Sequence, residues 1–224
     1  MQYFVYGRDR PGAFELKMSL NDDHWSFMDG YGELLIARGP TLTGDGEAES
    51  TGSLHIVDLP DAEAARTFAY REPYYRAGVF ESVLLCRFHN VLGRTMWDFK
   101  EAVEGYGRFL VIAMDESDSA PVTSRHVIVY GELLALDGEA RLGRAAMVEA
   151  PDRESAASLL GSTGGVKRVL KVPSDEQPTA DATSSNAPST ASNTGAGWPP
   201  DTTSTPSPTA AAASSQPCCS GSPT

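Results

Sequence analysis

The stretch SLHIVDLPDAEAAR, residues 53–66, joins a strand pattern directly to a helix pattern. Leu54 and Ile56 alternate with polar neighbours, which is the period of two that a half-buried strand shows. Pro60 and the acidic residues after it suit the first turn of a helix, where proline loses no hydrogen bond and the helix dipole is positive. A matching stretch, MVEAPDRESAA, occupies residues 147–157. The sequence therefore predicts that one β-α unit occurs twice.

On both sides of this unit, the pattern of residues 1–92 predicts the element order β-α-β-β-α-β. The predicted strands cover residues 2–7, 38–42, 53–59 and 79–88. The predicted helices cover residues 13–36 and 60–70, and the first of them depends on apolar residues spaced three and four apart. This order of elements is the ferredoxin-like pattern, so the predicted fold class is α+β.

The second half of the chain repeats the first in shortened form. FLVIAMD at 109–115 echoes YFVYGRD at 3–9, and the pentapeptide YGELL occurs at both 31–35 and 130–134. Repetition over this length indicates internal duplication. The sequence therefore predicts two tandem ferredoxin-like copies.

These copies are expected at residues 1–92 and 108–173, joined by a linker at 93–107. The segment 116–125 is short and contains Pro121, so the first helix of the second copy is expected to be truncated or lost. A four-stranded sheet with helices on one face leaves its other face to be covered, so two such sheets should pair. That pairing predicts either a homodimer or an intramolecular pseudo-dimer.

Residues 174–224 consist mainly of Ser, Thr, Ala, Pro and Gly. They offer too little apolar surface to offset the entropy of ordering, so this tail is predicted to be disordered. Cys218 and Cys219 within it have no His or further Cys nearby, and no metal site is expected there.

Charge and motif content narrow the functional classes. Acidic residues outnumber basic ones by 30 to 18, for a formal charge of −12, and nucleic acid is therefore not an expected partner. No run of about eighteen apolar residues is present, and the first residues lack the features of a signal peptide, so we expect a cytoplasmic protein without a membrane partner. Phosphate-binding loops, zinc patterns and nucleophile elbows are absent from the sequence. We therefore expect no cofactor and no metal, and a small-molecule ligand.

His24 is the first candidate for chemistry. It lies on the apolar side of the predicted helix 13–36, where partial desolvation favours a neutral imidazole that can act as a base. The alternative is a core histidine satisfied by one hydrogen bond. The residues expected to form apolar walls of a substrate site around it are Trp25, Phe27, Tyr31 and Tyr74.

Two carboxylates are candidates to orient the His24 imidazole. Asp9 ends the first predicted strand, and Glu72 follows the second predicted helix. Either one could stabilise the protonated imidazole, as in an acid–base dyad. The alternatives are a helix cap for Asp9 and a solvated acid before a turn for Glu72.

The remaining candidates have weaker support in the sequence. Gly39-Pro40 is expected to close the turn into the second strand, and ligand contact is the alternative for it. His55 has outward parity in its predicted strand, His89 precedes the linker, and His126 precedes a strand without the helical context of His24.

These residues together resemble the YciI-like (YCII-related) family over residues 1–92. The segments that carry the resemblance are Asp9-Arg10-Pro11, His24, Gly39-Pro40, Thr51-Gly52-Ser53, Glu72-Pro73-Tyr74 and Ala77-Gly78-Val79. The resemblance implies a dimeric α+β barrel of ferredoxin-like units. The family is similar to muconolactone isomerase and includes a dehydrochlorinase that acts on chlorinated hydroxyhydroquinone.

The resemblance also implies a His–Asp dyad. Its histidine maps onto His24, and its acid maps onto Asp9 or onto Glu72, where Glu replaces Asp and lengthens the reach by one methylene. The second copy resembles the family faintly, because residues 162–165 stand where Glu72-Pro73-Tyr74 would be. That copy is expected to be catalytically empty.

Two hypotheses for function follow. The first is a cofactor-free acid–base enzyme of the isomerase, lyase (dehydrochlorinase) or cyclase type, which acts on a small cyclic or aromatic substrate with His24 as general base. The second is a non-catalytic ligand-binding or assembly module of the same fold. An accessible His24 in a concave site, with a carboxylate in reach, distinguishes them.

Overall fold

The computed structural model describes residues 1–44, 49–114, 122, 124–161 and 166–173. The tail predicted at 174–224 lies outside these residues, as do Asp45 and Gly46 of a turn that the sequence predicts at 44–46. The strands of the described part are β1 (Gln2–Asp9), β2 (Leu35–Leu42), β3 (Ser50–Asp58), β4 (Phe80–Asn90), β5 (Gly107–Met114), β6 (Val127–Leu134), β7 (Arg141–Ala150) and β8 (Val166–Val172). The helices described with them are α1 (Phe14–Ser19), α2 (Asn21–Asp29), α3 (Ala62–Arg71), α4 (Pro73–Arg76) and α5 (Arg153–Leu159).

The strands close into one barrel in the order β1-β3-β2-β8-β5-β7-β6-β4. Within it, β4-β1-β3-β2 and β8-β5-β7-β6 form two antiparallel groups with the same internal order, which is that of a ferredoxin-like sheet. The fold is therefore α+β and of the dimeric α+β barrel type, as the sequence predicts. Both sheets of this barrel come from one chain, so their pairing is intramolecular, as in the pseudo-dimer that the sequence offers as one alternative.

Two seams join the sheets. β4 pairs with β6 from Arg87 opposite Leu134 to Asn90 opposite Gly131, and β2 pairs with β8 at Leu42 opposite Lys171. The β2–β8 seam is short, and Pro40 in β2 lacks an N–H with which to extend it. Gly39-Pro40 thus lies inside β2, and its prediction as the turn before this strand is wrong.

Strand alternation divides the apolar side chains between the barrel interior and its outer face. The interior cluster draws on both halves and includes Phe4, Ile56, Phe88, Leu110, Ile128 and Met147. Met96 and Phe99 from the predicted linker also belong to it, so the segment 93–107 contributes to the core. On the outer face, one cluster packs beneath α3 and another beneath α5.

The paired β-α unit of the sequence is present in both halves. Asp61 caps α3 by accepting the N–H of Ala64, and Asp152 caps α5 by accepting the N–H of Ser155. Both aspartates have nearly the same extended backbone, with φ of −156° and −153°. The side-chain oxygen satisfies an N–H that has no partner within the helix, which explains why both helices begin there.

The single helix predicted over residues 13–36 is wrong. The chain turns between α1 and α2 at Leu20, whose N–H bonds to the Lys17 carbonyl three residues back. The hydroxyl of Ser19 donates to the Leu16 carbonyl and so competes for the acceptor that a continuous helix would use. A short 3₁₀ turn, Gly32–Leu34, then ends the segment, and β2 begins at Leu35 because this residue pairs with β3.

Candidate active site

His24 lies in the middle of α2, and its side chain meets Glu72. The Nδ1 atom of His24 is 2.6 Å from Oε1 of Glu72, whose side chain is 3% exposed. The second oxygen of Glu72 accepts the backbone N–H of Tyr75 at 2.9 Å, because Glu72 is the N-cap of α4. The cap fixes the carboxylate, and the carboxylate in turn fixes the imidazole.

Tyr74 supports the same imidazole from its face. The rings of His24 and Tyr74 stack with centroids 4.1 Å apart and planes 11° from parallel. The Tyr74 hydroxyl donates to the side-chain oxygen of Asn21 at 3.1 Å, which ties the stacked pair to the start of α2. The plane of the His24 ring is therefore set by two contacts from outside its own helix.

A cavity of about 300 Å³ opens beside this pair, between α1–α2 and the outer face of β2 and β3. The residues that line it include Phe14, Lys17, Met18, Asn21, His24, Trp25, Met28, Arg38, Gly39, Pro40, Ser50, Ser53, His55 and Tyr74. Its volume is at the lower end of the range of ligand pockets, which suits a small molecule.

Asp9 pairs with Lys17 rather than with His24. The Lys17 ammonium donates to both oxygens of the Asp9 carboxylate at 3.1 and 2.9 Å, and also to Ser50 Oγ, Ser53 Oγ and the Gly52 carbonyl. Lys17 is 3% exposed, and burial lowers its pKa while the Asp9 carboxylate opposes that shift. Of the two carboxylates left open by the sequence, the structure brings Glu72 to His24.

His55 lies under the helices and is not on the surface. Its outward parity directs it away from the barrel interior, but α1 and α2 cover that face, and His55 is 5% exposed. Its ring centroid is 5.6 Å from that of His24. Burial is the main cause that lowers the pKa of His55 well below its ordinary value, and the positive charges of Lys17, Arg38 and a protonated His24 act in the same direction, so this imidazole is neutral near pH 7.

Arg38 in β2 is the second cation of the cavity lining. It is 8% exposed, and its guanidinium carbon lies 4.7 Å from the centroid of the Trp25 ring. It stands directly opposite His55 in the β2–β3 register. Its Nε has no hydrogen-bond partner among the residues that the structure describes.

About half of the predicted site residues line this cavity. Gly39, Pro40 and Tyr74 line it together with His24. Phe27 and Tyr31 do not, and their prediction as substrate walls is wrong, because both rings pack on Phe68 of α3, with centroids 5.9 and 4.8 Å away. Phe27 in α2 and Tyr31 just after its end both face α3, so helical spacing alone could not separate core positions from cavity positions.

Sequence reasoning missed Lys17 and Arg38. Lys17, Asn21 and His24 lie at i, i+4 and i+7, which places them on one side of the α1–α2 segment, and this polar spacing was a usable signal. Arg38 had no comparable signal, because only the pairing of β2 with β3 places it beside His55.

The remaining histidines lie outside the cavity lining. His89 is exposed beside Glu132 at 3.3 Å, and His126 lies against Tyr106 with ring centroids 5.4 Å apart. Among the described residues, no group of three or more His, Cys, Asp or Glu side chains is placed to hold a metal ion. The same residues include no helix that is long and apolar enough to cross a bilayer.

The first part of the chain matches a known protein family. Residues 1–89 match the model of the YCII-related domain. The protein YciI of Escherichia coli O6:H1 (strain CFT073) is 34% identical over 98 residues, which cover 99% of that protein and 41% of this chain. The chain therefore belongs to the YCII-related family.

Two solved structures are also similar. The 5-chloro-2-hydroxyhydroquinone dehydrochlorinase from Burkholderia phenoliruptrix AC1100, in complex with 2,5-dihydroxybenzoquinone, is 24% identical with a TM-score of 0.40, covering 42% of this chain and 99% of that one. A mutant chlorite dismutase from Candidatus Nitrospira defluvii is 8% identical with a TM-score of 0.47, covering 77% of this chain and 91% of that one.

Proposed function

We propose that this chain is a cofactor-free acid–base enzyme, of the lyase or isomerase type, that acts on a small cyclic or aromatic substrate in the cavity beside His24. The observation that carries the proposal is the 2.6 Å contact between His24 and the buried Glu72 at the cavity wall. A positioned imidazole with a carboxylate partner is the arrangement that general-base catalysis needs.

The roles of the two residues follow from the hydrogen bond. An ionised Glu72 can only accept, so the Nδ1 of His24 carries the ring proton and Nε2 is the basic nitrogen. Nε2 takes a proton from an acidic C–H or O–H of the substrate, and Glu72 stabilises the imidazolium that forms. In an elimination the electron pair left on the substrate expels a leaving group, and in an isomerisation His24 returns the proton at another atom.

The tautomer can be tested without a known substrate. Nitrogen-15 NMR of the full chain near pH 7 should show His24 protonated at Nδ1 and unprotonated at Nε2. In Glu72→Gln that preference should be lost, because the amide can donate to Nδ1 as well as accept from it. A wild-type His24 protonated at Nε2 would leave no base facing a substrate and would overturn the proposal.

Turnover supplies the second test. A panel of hydroxylated and halogenated aromatic compounds, beginning with 5-chloro-2-hydroxyhydroquinone, is assayed for chloride release and for absorbance change. His24→Ala should lower any turnover by about 10² to 10⁴, while His126→Ala, the matched change outside the cavity, should leave it unchanged. If His24→Ala keeps the wild-type specific activity, His24 is not the base of the reaction and the proposal is wrong.

A further inference from the structure

Arg38 and Lys17 are the two cations that line the cavity, and they differ in what holds them. The Lys17 ammonium has its donors directed to Asp9, Ser50, Ser53 and the Gly52 carbonyl. No ion pair of the described residues includes Arg38. The Lys17 ammonium is therefore fully hydrogen-bonded within the protein, whereas Arg38 has N–H donors that can bind a ligand.

The position of the Arg38 charge is energetically unfavourable in the absence of a ligand. The side chain is more than nine-tenths buried, and its Nε–H has neither an acceptor within the described part of the chain nor contact with solvent. Burial of a charge without a counter-ion is unfavourable, and a ligand that supplies the opposite charge removes that cost. The carboxylates nearest the cavity are already taken, Asp9 by Lys17 and Glu72 by His24.

The Trp25 contact leaves the donors of Arg38 available. The Trp25 ring lies 4.7 Å from the guanidinium carbon, so it stabilises the cation without accepting its N–H groups. Those N–H groups point outward in the guanidinium plane, where two of them match the spacing of carboxylate oxygens. Lysine in this place would offer a point charge without that match.

We propose that Arg38 binds the carboxylate of a planar, single-ring ligand that occupies the cavity. Resting on the function proposed above, this makes the substrate of His24 an aromatic or cyclic carboxylic acid. Arg38 is opposite His55 in the strand register, and the His55 ring lies 5.6 Å from that of His24. Arg38 and His24 are thus neighbours of the same residue, and a ligand of one ring can contact both.

The test uses benzoate and its neutral isostere benzamide, with binding to the full chain measured by isothermal titration calorimetry. Wild type should bind benzoate at least about tenfold more tightly than benzamide, since one charge-assisted contact is worth that much. Arg38→Gln should remove the preference, and Arg38→Lys should keep part of it. Arg66→Gln removes the same charge from a surface pair with Asp137 and should keep the full preference.

A second measurement needs no variant. The Arg38 Nε–H resonance of wild type should shift on addition of benzoate and stay in place on addition of benzamide. The proposal is overturned if wild type shows no preference for benzoate, if Arg38→Gln keeps that preference, or if the Arg38 resonance does not respond to benzoate.

His24→Ala separates this inference from the proposed function. That variant should still prefer benzoate, because the carboxylate is held by Arg38. Normal benzoate preference together with an unprotonated Nδ1 in wild-type His24 would refute the catalytic role and leave the anion site standing. The reverse result, a correct tautomer without any preference for benzoate, would refute the anion site alone.

Discussion

Arg38 in the first half of the barrel and Tyr130 in the second occupy matching places. Each lies just beyond a bulge at the start of its strand, opposite His55 in one case and Ala146 in the other. In the first half these positions face the cavity under α1 and α2, whereas Tyr130 and Ala146 belong to the apolar cluster beneath α5. The outer face of the barrel can therefore carry either a cavity with polar side chains or an apolar cluster, because the barrel interior is formed by apolar residues from both halves.

The two copies of the pentapeptide YGELL also differ in structure, although their sequences are identical. At 31–35 it forms the 3₁₀ turn that ends the α1–α2 segment and begins β2, and at 130–134 it lies inside β6. The register aligns Leu35 with Val127, so the two copies of the pentapeptide are not at matching places. The interpretation of this identity as part of the repeat is wrong, although the pairing of 56–66 with 147–157 agrees with the register.

The largest effect should come from the buried ion pair that holds α1 to the first half. Lys17→Met leaves the Asp9 carboxylate buried without its cation, which should lower the free energy of unfolding by about 3–5 kcal/mol. Urea denaturation followed by circular dichroism measures this loss.

The double variant Lys17→Met with Asp9→Leu should recover most of that stability, because no uncompensated charge remains. Arg66→Met breaks an exposed pair with Asp137 and should cost no more than about 1 kcal/mol. If Lys17→Met lowers the free energy of unfolding as little as Arg66→Met does, the buried pair of Lys17 and Asp9 does not stabilise the first half.

The next effect separates the two copies of the pentapeptide. Leu133 is fully buried in the barrel interior, so Leu133→Ala should lower the free energy of unfolding by about 3 kcal/mol through lost burial and an unfilled cavity. Leu34 is 44% exposed, so Leu34→Ala should cost less than about 0.5 kcal/mol. Chemical denaturation of both variants measures the difference, and equal losses would contradict the placement of the pentapeptide in β6.

His55 should make the stability of the first half depend on pH. Its folded pKa lies below the ordinary value near 6.5, so on acidification the unfolded chain binds this proton before the folded chain does. Stability should therefore fall by up to about 1.4 kcal/mol per pH unit below pH 6.5, until the folded pKa is reached.

His55→Ala copies the second half, where Ala146 stands, and should remove this part of the slope. Denaturation of wild type and variant from pH 7 to pH 5 measures it, with the exposed His89→Ala as the matched control. A His55→Ala variant whose stability falls with pH as steeply as wild type would show that other groups account for the slope.

The smallest effect should come from the tail. On the composition of residues 174–224, a chain that ends at Asp175 should unfold within about 0.5 kcal/mol of the full chain, because that composition offers little to pack against either half. Differential scanning calorimetry of the two chains measures this. A clearly lower melting temperature for the shortened chain would contradict the prediction of disorder.

The candidate site was predictable in part. His24 and the alternative of Glu72 follow from sequence position and family resemblance, and the structure brings them together. The same reasoning placed Phe27 and Tyr31 in the site, because a helical period identifies an apolar face without saying which neighbour covers it. Lys17 had a local signal at helical spacing, whereas Arg38 had none.

The sequence by itself determined the order of the strands in the first half, the β-α unit that occurs in both halves and the class of the fold. These features depend on residues close together in the chain, through strand alternation and through proline and acidic residues near a helix start. Only the tertiary structure decided where the long apolar run 13–36 turns, which sheet closes the barrel and which carboxylate meets His24. Those outcomes depend on pairing between distant segments, as Leu35 with Val57 or Glu72 with His24, and such pairing overrides local preference because burial and long-range hydrogen bonds outweigh helix propensity.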